Sequence, residues 1–155
     1  MCGIAGIQRF DGQPVRRDTL GSMVATLDHR GPDANGVKLS GSVGLGHTRL
    51  SIIDISGGVQ PMEFKSKDAE NLITFNGEIF NYIELREELI GCGRRFATTS
   101  DTEVVLQAYA EWGEDCVKHF NGQWAFDIWD ARRRKLFLSR DRLGMRPLFY
   151  TISGQ

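Results

Sequence analysis

Short apolar segments that turn back on one another set the tightest limit on what this chain can fold into. A strand expected at 43–47 follows one at 36–39 across Ser40-Gly41-Ser42, and one at 135–140 follows 123–129 across a hairpin at 130–134. Connections this short join antiparallel neighbours, since a parallel crossover needs a dozen residues or more. Further strands are expected at 2–9, 71–75, 96–98 and 148–152, and an apolar, largely β-branched run covers 49–55. Helical spacing appears in separate places between them. Leu20, Met23, Val24 and Leu27 follow a candidate cap at Asp18, a second helix covers 82–89 up to Gly91, and Val104, Val105, Ala108, Tyr109 and Trp112 follow Ser100. Ser100 with Glu103 three residues on reads as a capping box, and Asn76-Gly77 reads as a turn. Helices dispersed among hairpins favour antiparallel sheet packed against helices, an α+β class, over a parallel βαβ array.

The 155 residues suit one domain with a substantial core. A formal net charge of -1 gives no global field to draw nucleic acid or an anionic membrane, so neither is expected as a partner. The longest apolar runs break within a few residues, far short of a membrane span. The N-terminus lacks the basic region and long apolar stretch of a signal peptide, which predicts a cytoplasmic protein. Cys2, Cys92 and Cys116 are odd in number and show no CxxC spacing, and His29, His47 and His119 are dispersed. Neither a disulfide framework nor a metal site is expected.

Cys2 is the informative residue. An initiator methionine is generally trimmed when the next side chain is small, and removal of Met1 would put a thiol and a free α-amine on one residue. In model peptides an α-amine titrates at about 8 and a thiol at about 8.5, so modest local effects bring either toward neutrality. The amine can then serve as general base for its own nucleophile, as in catalysis by N-terminal threonine. A buried cysteine near a chain start is the plainer reading, and Cys2 alone favours it.

Six segments in order reverse that preference. They are Met-Cys-Gly-Ile-Ala-Gly at 1–6, His-Arg-Gly-Pro-Asp at 29–33, Arg-Leu-Ser-Ile-Ile at 49–53, Asn-Gly-Glu-Ile-Phe-Asn at 76–81, Thr-Ser-Asp-Thr-Glu at 99–103 and Arg-Asp-Arg-Leu-Gly-Met-Arg-Pro-Leu at 140–148. Across essentially the whole chain they resemble the class II glutamine amidotransferase domain, in particular the N-terminal domain of asparagine synthetases. The resemblance implies an N-terminal-nucleophile hydrolase fold, two antiparallel β-sheets sandwiched between helical layers. It implies that Cys2 is the nucleophile forming a glutamyl thioester, and that Arg49 pairs with the α-carboxylate of L-glutamine, a role that suits a guanidinium fork. Asn76 and Gly77 match the oxyanion hole, two donors aimed at one developing charge. Asp101 matches the carboxylate that receives the α-ammonium, while Glu78 and the backbone of Leu50, Ser51, Ile52 and Ile53 match the rest of the pocket.

Taken singly, these residues have duller readings. Arg49 suits a surface ion pair, Asp101 the dipole of the helix that follows Ser100, and Asn76-Gly77 a hairpin turn. His29 is assigned to structure, because it shares a turn with Pro32 and Asp33 and the implied mechanism needs no histidine base. The basic run 132–135 is read as a solvated hairpin tip. Asp141, Gly144 and Pro147 are expected to shape the last turn near the site. Phe80 and Met145 depart from the family's usual Tyr and Ile or Val.

The resemblance implies no cofactor in this domain. ATP and Mg belong to a separate synthetase domain, the implied partner, which would use the ammonia to make asparagine from aspartate. No Ser-Gly-Gly-x-Asp pyrophosphate loop is present, and the family's domain normally continues past the Pro-Leu-Phe-Tyr segment. Residues 1–155 are therefore expected to be one amidotransferase domain truncated at its C-terminus, with an open sheet edge that tends to pair with another chain, as in a homodimer. The alternatives are the glutaminase domain of a glucosamine-phosphate or phosphoribosylamine synthase, which the segments at 30–33 and 49–52 fit less well, and a non-catalytic glutamine-binding domain.

Overall fold

The computed structural model describes residues 1–51, 57–67 and 69–154. Strands β1 (Gly3–Gln8), β2 (Ala34–Ser40) and β3 (Val43–Arg49) form one antiparallel sheet in the order β1-β3-β2. Strands β4 (Met62–Lys65), β5 (Glu70–Ile79), β6 (Gly122–Asp130) and β7 (Lys135–Arg140) form a second in the order β4-β5-β6-β7, also antiparallel. Helix α1 (Arg17–Ala25) covers the first sheet, and α2 (Tyr82–Gly91) and α3 (Asp101–Trp112) cover the second.

The period-two alternation of β3 explains the layering. A Cβ at Gly44 would lie 2.8 Å from Leu20 Cδ2, and one at Gly46 would lie 2.3 Å from Val24 Cγ2, so α1 rests on bare backbone. Its Leu20 and Val24 bury there with Ala5 and Val15. The opposite face of β3 presents Val43 and Leu45 to Leu72 of β5 and Trp129 of β6. Thr74 Oγ1 donates to Gly46 O at 3.0 Å and His47 Nε2 meets Phe75 O at 3.2 Å, so hydrogen bonds cross between the sheets as well as apolar contacts. Burial lowers the His47 ring to about 4, which leaves it neutral at pH 7 and able to donate from Nε2 to that carbonyl. On the outer face of the second sheet, Ile73, Phe75, Ile79, Trp124, Phe126 and Ile128 pack under Leu85, Leu89, Val104, Val105 and Ala108. The result is the expected helix–sheet–sheet–helix sandwich. Among the described residues no helix is long and apolar enough to cross a membrane.

Several local expectations are revised. Asn76-Gly77 is not a turn; both residues lie within β5. Residues 96–98 form no strand, because the N–H groups of Ala97 and Thr98 donate to the Glu103 carboxylate at 2.8 and 2.7 Å instead of to a ladder. That same use of Glu103 replaces the second half of the capping box. Ser100 does cap α3, its hydroxyl accepting from Thr102 N at 3.2 Å, but its own N–H donates to Thr98 Oγ1. Residues 148–152 form no strand: nothing among the described residues pairs with them, and Phe149 and Tyr150 are 88% and 80% exposed. Helix α1 begins after Arg16, with Asp18 inside its first turn rather than at the cap. Of the run 49–55, Arg49 ends β3, Leu50 and Ser51 belong to no strand, and the remainder lies outside the described residues.

One buried carboxyl is out of keeping with the apolar packing between the sheets. Asp127 on β6 is 6% exposed and faces β1, where a Cβ at Gly6 would come within 3.3 Å of its Oδ2. Its Oδ1 has no partner among the described residues, and burial raises the carboxyl to about 7. The unfolded group titrates at about 4, so between those values the native state holds the extra proton and stability falls as pH rises. Asp127→Asn carries no such proton. Its stability relative to the parent, read from denaturant midpoints, is expected to grow from pH 4 to pH 7 and then level off. Parallel midpoint curves across that window would contradict a neutral, buried Asp127.

Candidate active site

Strand β1 delivers Cys2 to one end of the sandwich. Gly3 pairs with Thr48 of β3 and donates its N–H to Thr48 Oγ1 at 3.1 Å, and a Cβ at Gly3 would lie 2.6 Å from that oxygen. Cys2 follows half-buried, its Sγ 3.4 Å from Leu50 N, which donates to it, and 3.7 Å from Leu50 O. The turn 29–33 clamps the same corner. Arg30 Nε donates to Cys2 O at 3.1 Å, and Asp33 accepts from Ser51 N at 2.7 Å while its own N–H reaches Arg49 O at 3.0 Å. Gly31 is required there, since a Cβ would sit 2.4–2.5 Å from the Thr48–Arg49 peptide.

Strand β5 supplies the opposite wall. Its pairing with β4 ends at Ile73, while its pairing with β6 runs on to Ile79. Trp124, which faces Gly77 in the register, uses both backbone groups on Asp141: its N–H donates to Oδ2 at 3.2 Å and its carbonyl accepts Asp141 N at 2.8 Å. Gly77 N–H therefore points away from β6, toward the side that β4 has vacated. Its neighbours on that side are satisfied by side chains, Phe75 N by Gln60 Oε1 at 2.6 Å and Ile79 N by Asp101 Oδ2 at 3.2 Å. Glycine at 77 follows from the sheet itself, because a Cβ there would meet Gln123 O at 2.2 Å.

A cavity of about 80 Å³ opens between these walls. Cys2, Arg49, Leu50, Asn76, Gly77, Glu78 and Asp101 all line it. Ser51 does not, its N–H being held by Asp33, and Ile52 and Ile53 lie outside the described residues. Asp101 opens α3 at 4% exposure, and burial raises its carboxyl to about 6 against the opposing bonds from Ile79 and Thr102 N–H; the charge of Glu78 adds to the rise. A desolvated carboxyl facing a cavity is poised to receive a cation. His29 is exposed and holds Thr26 O through Nδ1 at 3.1 Å, away from the cavity. Asp141 organises the last turn, accepting N–H groups from Trp124, Leu143, Met145 and Arg146 at 2.9–3.2 Å. Burial would raise this carboxyl, but those donors together hold it below its ordinary value.

Gln60 and Arg146 are among the cavity residues that the sequence does not mark as site residues. Gln60 ties the floor together, its Oε1 on Phe75 N and its Nε2 donating to Thr102 Oγ1 at 3.2 Å, and no local pattern marks it. Arg146 lies within segment 140–148, one of the six that carry the resemblance, but nothing there sets it apart from Asp141, Gly144 and Pro147.

A cysteine at the head of an edge strand, in a sandwich of two antiparallel sheets between helices, defines an N-terminal-nucleophile hydrolase fold. The model of the glutamine amidotransferase domain family matches residues 1–155, and the chain belongs to that family. Among curated relatives it is 48% identical to an asparagine synthetase (glutamine-hydrolysing) 3 of Bacillus subtilis, over 99% of this chain and 25% of that protein. It is 42% identical to a putative asparagine synthetase (glutamine-hydrolysing) 2 of Methanocaldococcus jannaschii, over 99% of this chain and 32% of that protein. The chain thus spans between a quarter and a third of the length of these two relatives. Among solved structures, the glutamine phosphoribosylpyrophosphate amidotransferase of B. subtilis, complexed with ADP and GMP, superposes with a TM-score of 0.76 over 93% of this chain and 38% of that one. At 22% identity, that likeness speaks for the fold alone.

Proposed function

We propose that the chain hydrolyses L-glutamine to glutamate and ammonia through Cys2, and that the ammonia serves asparagine synthesis from aspartate and ATP in a synthetase domain. The observation that carries the reading is the convergence on one cavity of a thiol, a guanidinium, a strand-edge N–H beside an amide, and two carboxylates. Arg49 and Asp101 suit the two charged ends of an amino acid, with Glu78 adding to the side that takes the ammonium. Bound by those ends, glutamine would present its side-chain carboxamide to Cys2 Sγ.

With Met1 removed, the Cys2 α-amine takes the thiol proton as sulfur attacks the amide carbon. Asn76 Nδ2 and Gly77 N–H donate to the oxygen that becomes negative. The amine returns the proton to the departing nitrogen, the C–N bond breaks, and ammonia leaves a glutamyl thioester. Water, deprotonated by the same amine, adds to the thioester and releases glutamate with the thiol restored. The likeness to two proteins named as glutamine-hydrolysing asparagine synthetases supports asparagine synthesis as the use of the ammonia.

Two kinetic outcomes test the reading, with glutamate release as the readout. Asn76→Ala is expected to lower kcat by about 10²–10³ with little change in KM, the signature of a donor used in the transition state. An unaltered kcat would make Asn76 a strand residue and nothing more. Asp101 must be ionised to hold an ammonium, so KM for glutamine is expected to rise as pH falls below about 6, and Asp101→Asn to raise KM and flatten that dependence. A KM that ignores both the pH and the substitution would move the α-ammonium elsewhere.

A further inference from the structure

We propose that Arg146 is a positioning residue for this reaction: once Met1 is removed, its guanidinium faces the exposed α-amine of Cys2 and keeps that amine unprotonated and able to act as base. The inference rests on the glutaminase reading above and adds to it the residue that keeps the N-terminal base ready.

Arg146 lines the Cys2 cavity together with Met1. Its Nη1 contacts Met1 Sδ, so the guanidinium already reaches the residue whose departure creates the amine. Its Nε is buried and has no partner among the described residues, although a buried guanidinium N–H is costly to leave unpaired. The arm that carries it is fixed. Asp141 binds the N–H groups of Leu143, Met145 and Arg146, and Arg140 donates to Gly144 O and Arg146 O at 2.5 and 2.7 Å. Gly144, at φ +65°, allows the turn to close, since a Cβ there would lie 2.7 Å from Arg140 Nη2. Nothing in that scaffold uses the Arg146 side chain, so its guanidinium is carried toward the cavity by backbone bonds alone.

A guanidinium stays charged throughout the working pH range and cannot itself be a base. Beside an amine it acts by repulsion, disfavouring the second positive charge that protonation would create. The other charged groups at the cavity are Arg49 from β3, Glu78 from β5 and Asp101 from α3, with Arg30 from the turn at 29–33 bonded to the Cys2 carbonyl. Glu78 and Asp101 would favour a protonated amine. In the proposed complex, Arg49 and Asp101 are matched by the two ends of glutamine, while Arg30, whose Nη2 is also buried without a partner among the described residues, keeps its charge and acts on the amine in the same direction as Arg146. Of these two cations Arg146 is the one that lines the cavity and reaches Met1, so removing its charge weakens the opposition to Glu78 and lets the amine hold its proton to higher pH.

The test follows kcat/KM for glutamine hydrolysis against pH, using the full chain with loss of Met1 verified by mass. The acid limb of kcat/KM reports the base of the free enzyme. Arg146→Gln is expected to move that limb up by about 0.5–1 pH unit while leaving kcat on the alkaline plateau within about twofold of the parent. Arg146→Lys, which keeps the charge, is expected to leave the limb where it was. An unmoved limb in Arg146→Gln overturns the proposal. So does a KM increase of the same size at every pH, which would make Arg146 a glutamine contact, or a uniform loss that lysine does not rescue, which would make it structural. A parent chain that begins at Cys2 and releases no glutamate at any pH removes the glutaminase reading itself, and this inference with it.

Discussion

The pairing of β1 with β3 fixes where the chain begins, and the rest of the site is arranged around that point. Six consecutive residues, Gly3 to Gln8, are laddered against Thr48 to Val43, so the residue just before Gly3 has little freedom left. The same β3 ends at Arg49, which puts the thiol and the guanidinium at one end of the same pair of strands. Around them the turn at 29–33 uses the Arg30 guanidinium, the Gly31 backbone and the Asp33 carboxylate to hold Cys2, the Thr48–Arg49 peptide and Ser51. A chain terminus is otherwise prone to fray, and Cys2, proposed as both terminus and nucleophile, adjoins a strand end clamped from two sides.

The facing wall depends on a difference in strand length. Because β4 stops opposite Ile73 while β6 continues to Ile79, one edge of β5 carries N–H groups that no strand takes. Gln60 and Asp101 satisfy two of them, and Gly77 N–H, between those two, faces the cavity. The donor proposed for the oxyanion thus lies on the unpaired edge of an otherwise rigid strand, which suits a group that must be in place before charge develops. Asp101 joins this edge to the start of α3, so the helix, the strand edge and the carboxylate proposed to take the ammonium share one hydrogen bond.

The grouping of the site residues was more legible in the sequence than their local geometry. The segments around Cys2, Arg49, Asn76 and Asp101 pointed to a common cavity, and the structure brings those four residues together. The Asn76-Gly77 pair misled because its glycine answers to crowding by Gln123 and Trp124 from 46 or more residues away, which a dipeptide rule cannot see. Glu103 misled in the same way, since its carboxylate serves the backbone of Ala97 and Thr98 rather than that of Ser100. The segment 148–152 has strand-like residues, but strand formation needs a neighbour, and among the described residues it has none. Asp127 shows the limit from the other direction: inside an alternating strand pattern, nothing marked it as a carboxylate buried between two sheets.

The proposed chemistry stands or falls with Cys2 as first residue and nucleophile. Intact mass followed by labelling with a glutamine-analogue electrophile tests it on the native chain. Cys116 is buried, its thiol pushed up to about 12, and Cys92 is exposed at the end of α2, so the three cysteines differ enough to be told apart by peptide mapping. The native chain is expected to lack Met1 and to take up one equivalent of the analogue on Cys2, with free glutamine protecting it. A folded chain that hydrolyses glutamine with Met1 still attached, or one labelled at Cys92 and not at Cys2, would contradict it.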